Sequence, residues 1–172
     1  IGDLTVDAGA SVTIDDAGSL AVSGTLTVDG DVVIDEGGRL AFDGPAAQDV
    51  LGTGTISNAG TIEVNTENAV SLDATLTLTS APTSSIDSRT ARGSFIVQSD
   101  YAELGAINVG PFASVEFVAG LFTADPSALI DVEIAAGLAG RLNFRESGLP
   151  IFNGAALTTT LVGGYIPAGA DS

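Results

Sequence analysis

Histidine, cysteine and lysine are absent from this chain. Their absence excludes Ser-His-Asp, Cys-His and lysine-based nucleophiles, zinc sites built on histidine, and any disulfide. A chain without a single thiol also leans towards export, because cytosolic proteins usually keep a few. Tryptophan and methionine are missing too, and only 7 Phe and 2 Tyr occur in 172 residues, so Val, Ile, Leu and Ala must fill the interior. Small and β-branched side chains suit thin, flat layers. Positive charge is scarce: 5 basic residues, all arginine (Arg39, Arg89, Arg92, Arg141, Arg145), face 22 acidic ones, for a formal net charge of -17. Without clustered Lys and Arg a phosphate backbone is repelled, which argues against nucleic acid as a partner, and the same field disfavours anionic membranes. No apolar run reaches the roughly 18 residues of a membrane helix. No signal peptide opens the sequence, so for an exported protein the leader is expected upstream or already removed.

What is present is strand pattern. Leu4 and Val6, Val12 and Ile14, Leu20 and Val22, Leu26 and Val28, Val32 and Ile34, and Leu40 and Phe42 are pairs with a period of two, starting 8, 8, 6, 6 and 8 residues apart. Between them lie DAGAS, DDAGS, SGT, DGD and DEGGR, which is turn chemistry. Ordinary strands run to roughly 5 or 6 residues before their turns, so this spacing is too tight for a meander. Short strands separated by tight bends describe the sides of a coil. Three sides close a rung of roughly 20 residues, and each strand pairs in parallel with its equivalent one rung on. A lone rung cannot hide its apolar face, so stacking must supply the stability.

The pattern continues through GTGTISNAGTIEV, residues 52 to 64, where Ile56, Ile62 and Val64 are apolar and Asn58 falls at a bend, suited to a hydrogen-bonded ladder between rungs. Val70 with Leu72 and Leu76 with Leu78 follow. The Ser-, Thr- and Pro-rich stretch TSAPTSSIDSRTARG then reads as a departure from the coil. This divides the chain into regular rungs over 1–78, a loop excursion over 79–94, and a second portion over 95–172. Strand pattern resumes there with Phe95 and Val97, Ile107 and Val109, Val115 and Phe117, and Ile130, Val132 and Ile134. That portion is expected either to continue the coil or to form a sandwich-like or capping end. Asp125 as a cap with Pro126 in the first position allows one short helical turn.

GTISNAGTIEV resembles the repeats of bacterial and phage-borne parallel β-helix proteins, notably autotransporter passenger domains and filamentous-haemagglutinin-like adhesins. The stretch from Ser127 to Ser172 is similar to the end of many such solenoids, including a Gly-Tyr-x-Pro-x-x-Gly-Asp-Ser segment at Gly164, Tyr165, Pro167, Gly169, Asp171 and Ser172. The resemblance implies an extracellular or cell-surface location, and a further strand after Ser172 in a longer parent chain. The Asp usual at the central strand of that pattern is replaced by Asn143-Phe144-Arg145-Glu146.

For catalysis the residues leave only paired carboxylates. Asp15 with Asp16, Asp29 with Asp31, and Asp35 with Glu36 suit glycoside hydrolysis by residue type. All sit in turns beside Gly or Ala, and no aromatic platform for sugar accompanies them, so no catalytic residue is assigned. Calcium is the candidate ion, because turn carboxylates stacked from rung to rung present oxygens to a hard cation. Its expected ligands are Asp29, Asp31, Asp35 and Glu36. No other cofactor is expected. Arg89 and Arg92 are the contact candidates, for a neighbouring carboxylate or an acidic glycan, or simply to neutralise Asp87. Phe152 and Tyr165 are placed to cover a last rung.

The sequence therefore predicts an all-β parallel solenoid working as a stalk, filament or adhesin rod. Its expected partners are neighbouring domains, further copies of the chain, or cell-surface glycans. The alternatives are a self-polymerising subunit and a carbohydrate-active or phage depolymerase fragment on the same fold.

Overall fold

A computed structural model describes residues 1–89, 92–118, 120–136, 138–145 and 150–163. The predicted coil is there from the first aliphatic pair. Its opening rung consists of β1 (Leu4–Val6), β2 (Ser11–Ile14) and β3 (Ser19–Val22), and the next of β4 (Leu26–Val28), β5 (Asp31–Ile34) and β6 (Arg39–Phe42). Then come β7 (Gln48–Leu51), β8 (Thr55–Asn58) and β9 (Thr61–Val64), followed by β10 (Ala69–Leu72), β11 (Thr77–Ser80) and β12 (Ser85–Ser88). The fifth rung is β13 (Ser94–Val97), β14 (Tyr101–Glu103) and β15 (Ala106–Val109); the sixth is β16 (Ser114–Val118), β17 (Phe122–Ala124) and β18 (Leu129–Ala135). A short strand, β19 (Leu138–Ala139), folds back on β18 before β20 (Arg141–Arg145), β21 (Ile151–Phe152) and β22 (Ala156–Leu161) lay down the last described rung.

Three faces result. The first is a seven-stranded sheet from β1 to β20; the third runs from β3 to β18, where β22 joins it. The second is split into β2-β5-β8-β11 and β14-β17-β21. Apart from the antiparallel β18–β19 pair, the strand pairings among the described residues are parallel. No helix among these residues is long and apolar enough to cross a membrane.

Register follows from hydrophobic pattern. Leu20, Leu40, Ile62, Ile86, Ile107 and Ile130 stack as one column on the third face. A slip by one residue would turn such a column out to solvent. Leu20, in the opening rung, is only partly buried, whereas Leu40 and the four above it are fully buried; among the described strands β3 pairs with β6 alone. Burial at roughly 25 cal/mol per Å² of apolar surface accrues only as rungs accumulate. Corners take up differences in rung length: Val97 pairs with Phe117, and Phe117 with Phe144, although the first step spans 20 residues and the second 27. Gly52 lies at one corner with φ of 116°. A Cβ there would come within 2.1 Å of the Val28 carbonyl oxygen, so the corner closes on the rung below only because the side chain is missing.

Two expectations change, and one open alternative is decided. The loop excursion over 79–94 contains β12, which pairs in register with β9 and β15. Its inward residues are Ile86 and the fully buried Ser88, so one aliphatic side chain among Ser and Asp hid the alternation. Of the two forms expected after Phe95 the continued coil is found, since β13 to β18 extend the same faces, with β14 and β17 opening the second half of the split one. Asp125 begins a tight turn, accepting from the Ser127 amide at 3.0 Å and its hydroxyl at 2.7 Å, and no helical turn forms there. Glu146 and the segment from Gly164 to Ser172, Tyr165 included, lie outside the described residues.

Candidate functional site

On the first face, β16 and β20 lie side by side with Val115 and Phe117 pointing inward, over Leu142 and Phe144 in register. Alternation therefore sends Ser114 and Glu116 outward, next to Arg141 and Asn143. Outward side chains on a sheet are normally wet, yet Ser114 and Glu116 are only 9% and 8% exposed. They form the floor of a cleft of about 430 Å³, walled by Leu138 and Ala139 of β19 on one side and by Phe112 and Arg92 at a corner on another. That volume lies within the roughly 300–1,000 Å³ of ligand sites.

The cleft gathers three of the five arginines of a chain that carries 22 acidic residues. Their present engagements differ. The Arg145 Nη2 lies 3.3 Å from Glu116 Oε2. The Ser114 hydroxyl donates to Glu116 Oε1 at 3.1 Å and sits 2.7 Å from the Ser94 hydroxyl, so this carboxylate is held from both sides. The Arg92 guanidinium stacks 4.6 Å from the centroid of the Phe112 ring. Arg141 forms no ion pair among the described residues. Among the described residues Glu116 is the one carboxylate lining the cleft.

A second polar cluster lies inside the coil. The second face breaks between β11 and β14, and side chains span the break. The Ser80 hydroxyl donates to Glu103 Oε1 at 2.7 Å and accepts from the Leu104 amide at 3.1 Å. Glu103 also accepts from the Gly105 amide at 2.7 Å and from the Tyr101 hydroxyl at 2.8 Å. Glu103 is fully buried, and its burial raises the carboxyl pKa above the ordinary value of 4.5 against the pull of these donors. Burial, then the Glu103 charge, raises the Tyr101 hydroxyl well above its usual value.

The residues singled out from sequence fare differently. Asp29, Asp31, Asp35 and Glu36 are exposed at the two ends of β5, and no group of three or more acidic side chains among the described residues is placed to hold a metal. Strand geometry separates them: Asp29 and Asp31 flank one corner, Asp35 and Glu36 the next. Asp29 instead accepts from the Thr53 amide one rung on. Asp15 and Asp16 are likewise exposed at a corner. Asn58 is buried but stacks between Ile34 and Ser80, so it has no Asn above or below it to form a ladder. Its Nδ2 donates to the Ser85 carbonyl at 3.3 Å, and its Oδ1 has no partner. Arg89 grips Asp87 through Nη2 at 2.6 Å, which raises its pKa. Only Arg92 of the contact pair reaches the cleft. Phe152 packs on Phe122 and Phe144 near the last described rung and stays half-exposed.

Arg141, Asn143 and Arg145 belong to no sequence motif, although their alternation with Leu142 and Phe144 is readable as one outward polar row. The chain matches no family model, no curated protein and no solved structure.

Proposed function

We propose that this chain is a structural and adhesive segment of an extracellular surface protein, a stiff coil that carries its recognition surface on one face. The observation behind this reading is the register: columns such as Leu20 to Ile130 pass through rung after rung without a slip, and such stacking makes a rod in which each rung braces the next. Acidic corners favour the role, since like charges keep neighbouring rods apart and soluble. So does the absence of cysteine, together with the resemblance of GTISNAGTIEV to adhesin repeats. The test is location. Antibody raised against the chain is expected to label intact producing cells, and protease added outside is expected to remove the label. Label found only after the cells are broken overturns the reading.

Self-polymerisation is the second reading, favoured by Leu157 and Leu161, exposed along β22. Electron microscopy of the purified chain at rising concentration tests it: filaments support it, and isolated monomers throughout remove it.

A further inference from the structure

The geometry points to the cleft between β16, β20 and β19 as a binding site for a small monoanionic saccharide, a single sugar unit bearing one carboxylate. This gives a ligand class to the adhesive reading and rests on that reading for its setting.

Each group in the cleft has a counterpart in such a ligand. Arg141 pairs with no acid among the described residues, whereas Arg39 and Arg89 each hold one, Glu63 and Asp87. Its fork matches a carboxylate through two parallel hydrogen bonds. Asn143 and Ser94 line the same cleft and offer the donors and acceptors that sugar hydroxyls need. Phe112, half-exposed at the rim and capped on one side by Arg92, presents an apolar surface to a sugar ring. Glu116, the single lining acid among the described residues, is already held by Arg145 and Ser114, so it does not compete for Arg141.

Charge selects the size of the ligand. A net charge of -17 repels an incoming anion in proportion to the anion's own charge. A polyanion or a second copy of the chain meets that field many times over, whereas one carboxylate meets it once and finds a local cation at the end.

The experiment is NMR titration of the whole chain with D-glucuronate and D-galacturonate, against D-glucose, D-galactose, acetate and a heparin hexasaccharide, at low salt. A uronate is expected to shift the amides of β16 and β20, with the neutral sugar and acetate each at least about tenfold weaker and heparin no tighter than the uronate. Arg141→Ala is expected to lose about tenfold or more in affinity, Arg141→Lys less, and Arg89→Ala nothing, each with an unchanged circular dichroism spectrum. Arg141→Ala is an exposed strand position and should leave the fold intact; if its spectrum changes, Asn143→Ala replaces it with the same expected direction. Absence of uronate binding overturns the proposal, as does equal binding of neutral sugar or acetate, tighter binding of heparin, or full affinity in a folded Arg141→Ala chain. A folded, surface-exposed chain that ignores uronates removes the ligand and keeps the rod, whereas a chain confined inside the cell removes the rod whatever the cleft binds.

Discussion

In the first four rungs the apolar interior is aliphatic, with Phe42 as the one buried ring; from the fifth rung Phe95, Tyr101, Phe117, Phe122 and Phe144 join the aliphatic columns. All the ring-to-ring contacts among the described residues fall between Tyr101 and Phe152. The arginines divide in the same way. Arg39 and Arg89, in the first part, each answer a nearby acid, whereas Arg92, Arg141 and Arg145 gather on one cleft. The change of filling coincides with the break in the second face between β11 and β14. Aliphatic columns demand rungs of nearly constant cross-section, because each side chain rests on one like it. Rings overlap their neighbours at several angles, from Tyr101 stacked on Phe117 to Phe144 edge-on to Phe152, so the later rungs can vary in length and raise walls around a cleft. One winding thus supports a repetitive shaft and a region where a site can be built.

The largest expected effect tests whether the rings carry the later rungs. Phe117→Ala should cost about 3–5 kcal/mol, and Ile56→Val in the aliphatic part only about 0.5–1.5, both read by urea denaturation. Equal losses would erase the distinction between the two fillings.

Glu103 probes the seam. Glu103→Ala leaves Ser80, the Gly105 amide and the Tyr101 hydroxyl without their acceptor, for an expected loss of about 2–4 kcal/mol. Glu103→Gln keeps an acceptor and should restore most of it. Because burial raises the folded-state pKa, the stability this carboxyl contributes is full below its ordinary value of 4.5 and declines as pH rises through the raised value. Wild type should therefore weaken relative to Glu103→Gln as pH increases from acid to neutral. A constant difference between the two would show that this carboxyl is not protonated on folding.

Gly52→Ala addresses the aliphatic part from its corners. With a left-handed backbone and the Val28 carbonyl in the way, it should cost about 1–3 kcal/mol; a neutral result would mean that corners yield as easily as rings do. The smallest effects belong to the exposed corner acids. Asp15→Asn, Asp16→Asn and Asp35→Asn should each fall within about 0.5 kcal/mol, towards greater stability at low salt, with the gain lost in 1 M salt. Destabilisation by any of them would give that acid a structural partner.

The aliphatic part was legible because a period of two, punctuated by Gly and Asp, permits few arrangements; each pair from Leu4 to Phe42 became a strand. Legibility failed where an inward position holds something other than an aliphatic. Ser88 in β12, Glu103 in β14 and Gln48 in β7 are buried polar residues, and each masked its strand. Of the cleft, Arg92 alone stands out as a contact residue in the sequence. Its other members come from strands one rung apart but 27 residues apart in sequence, as Ser114 and Arg141 are, and stacking across that distance is a property of the rung length, which varies. The four acids around β5 illustrate the same limit: closeness in sequence puts Asp29 and Asp31 at one corner and Asp35 and Glu36 at the next.

Because the corners take up surplus length while the strands hold register, a guest peptide spliced into a corner such as 43–47 leaves the threading on either side undisturbed. Two guests on successive rungs would stand about 4.8 Å apart along the axis, which turns the coil into a ruler for spacing whatever is mounted on it.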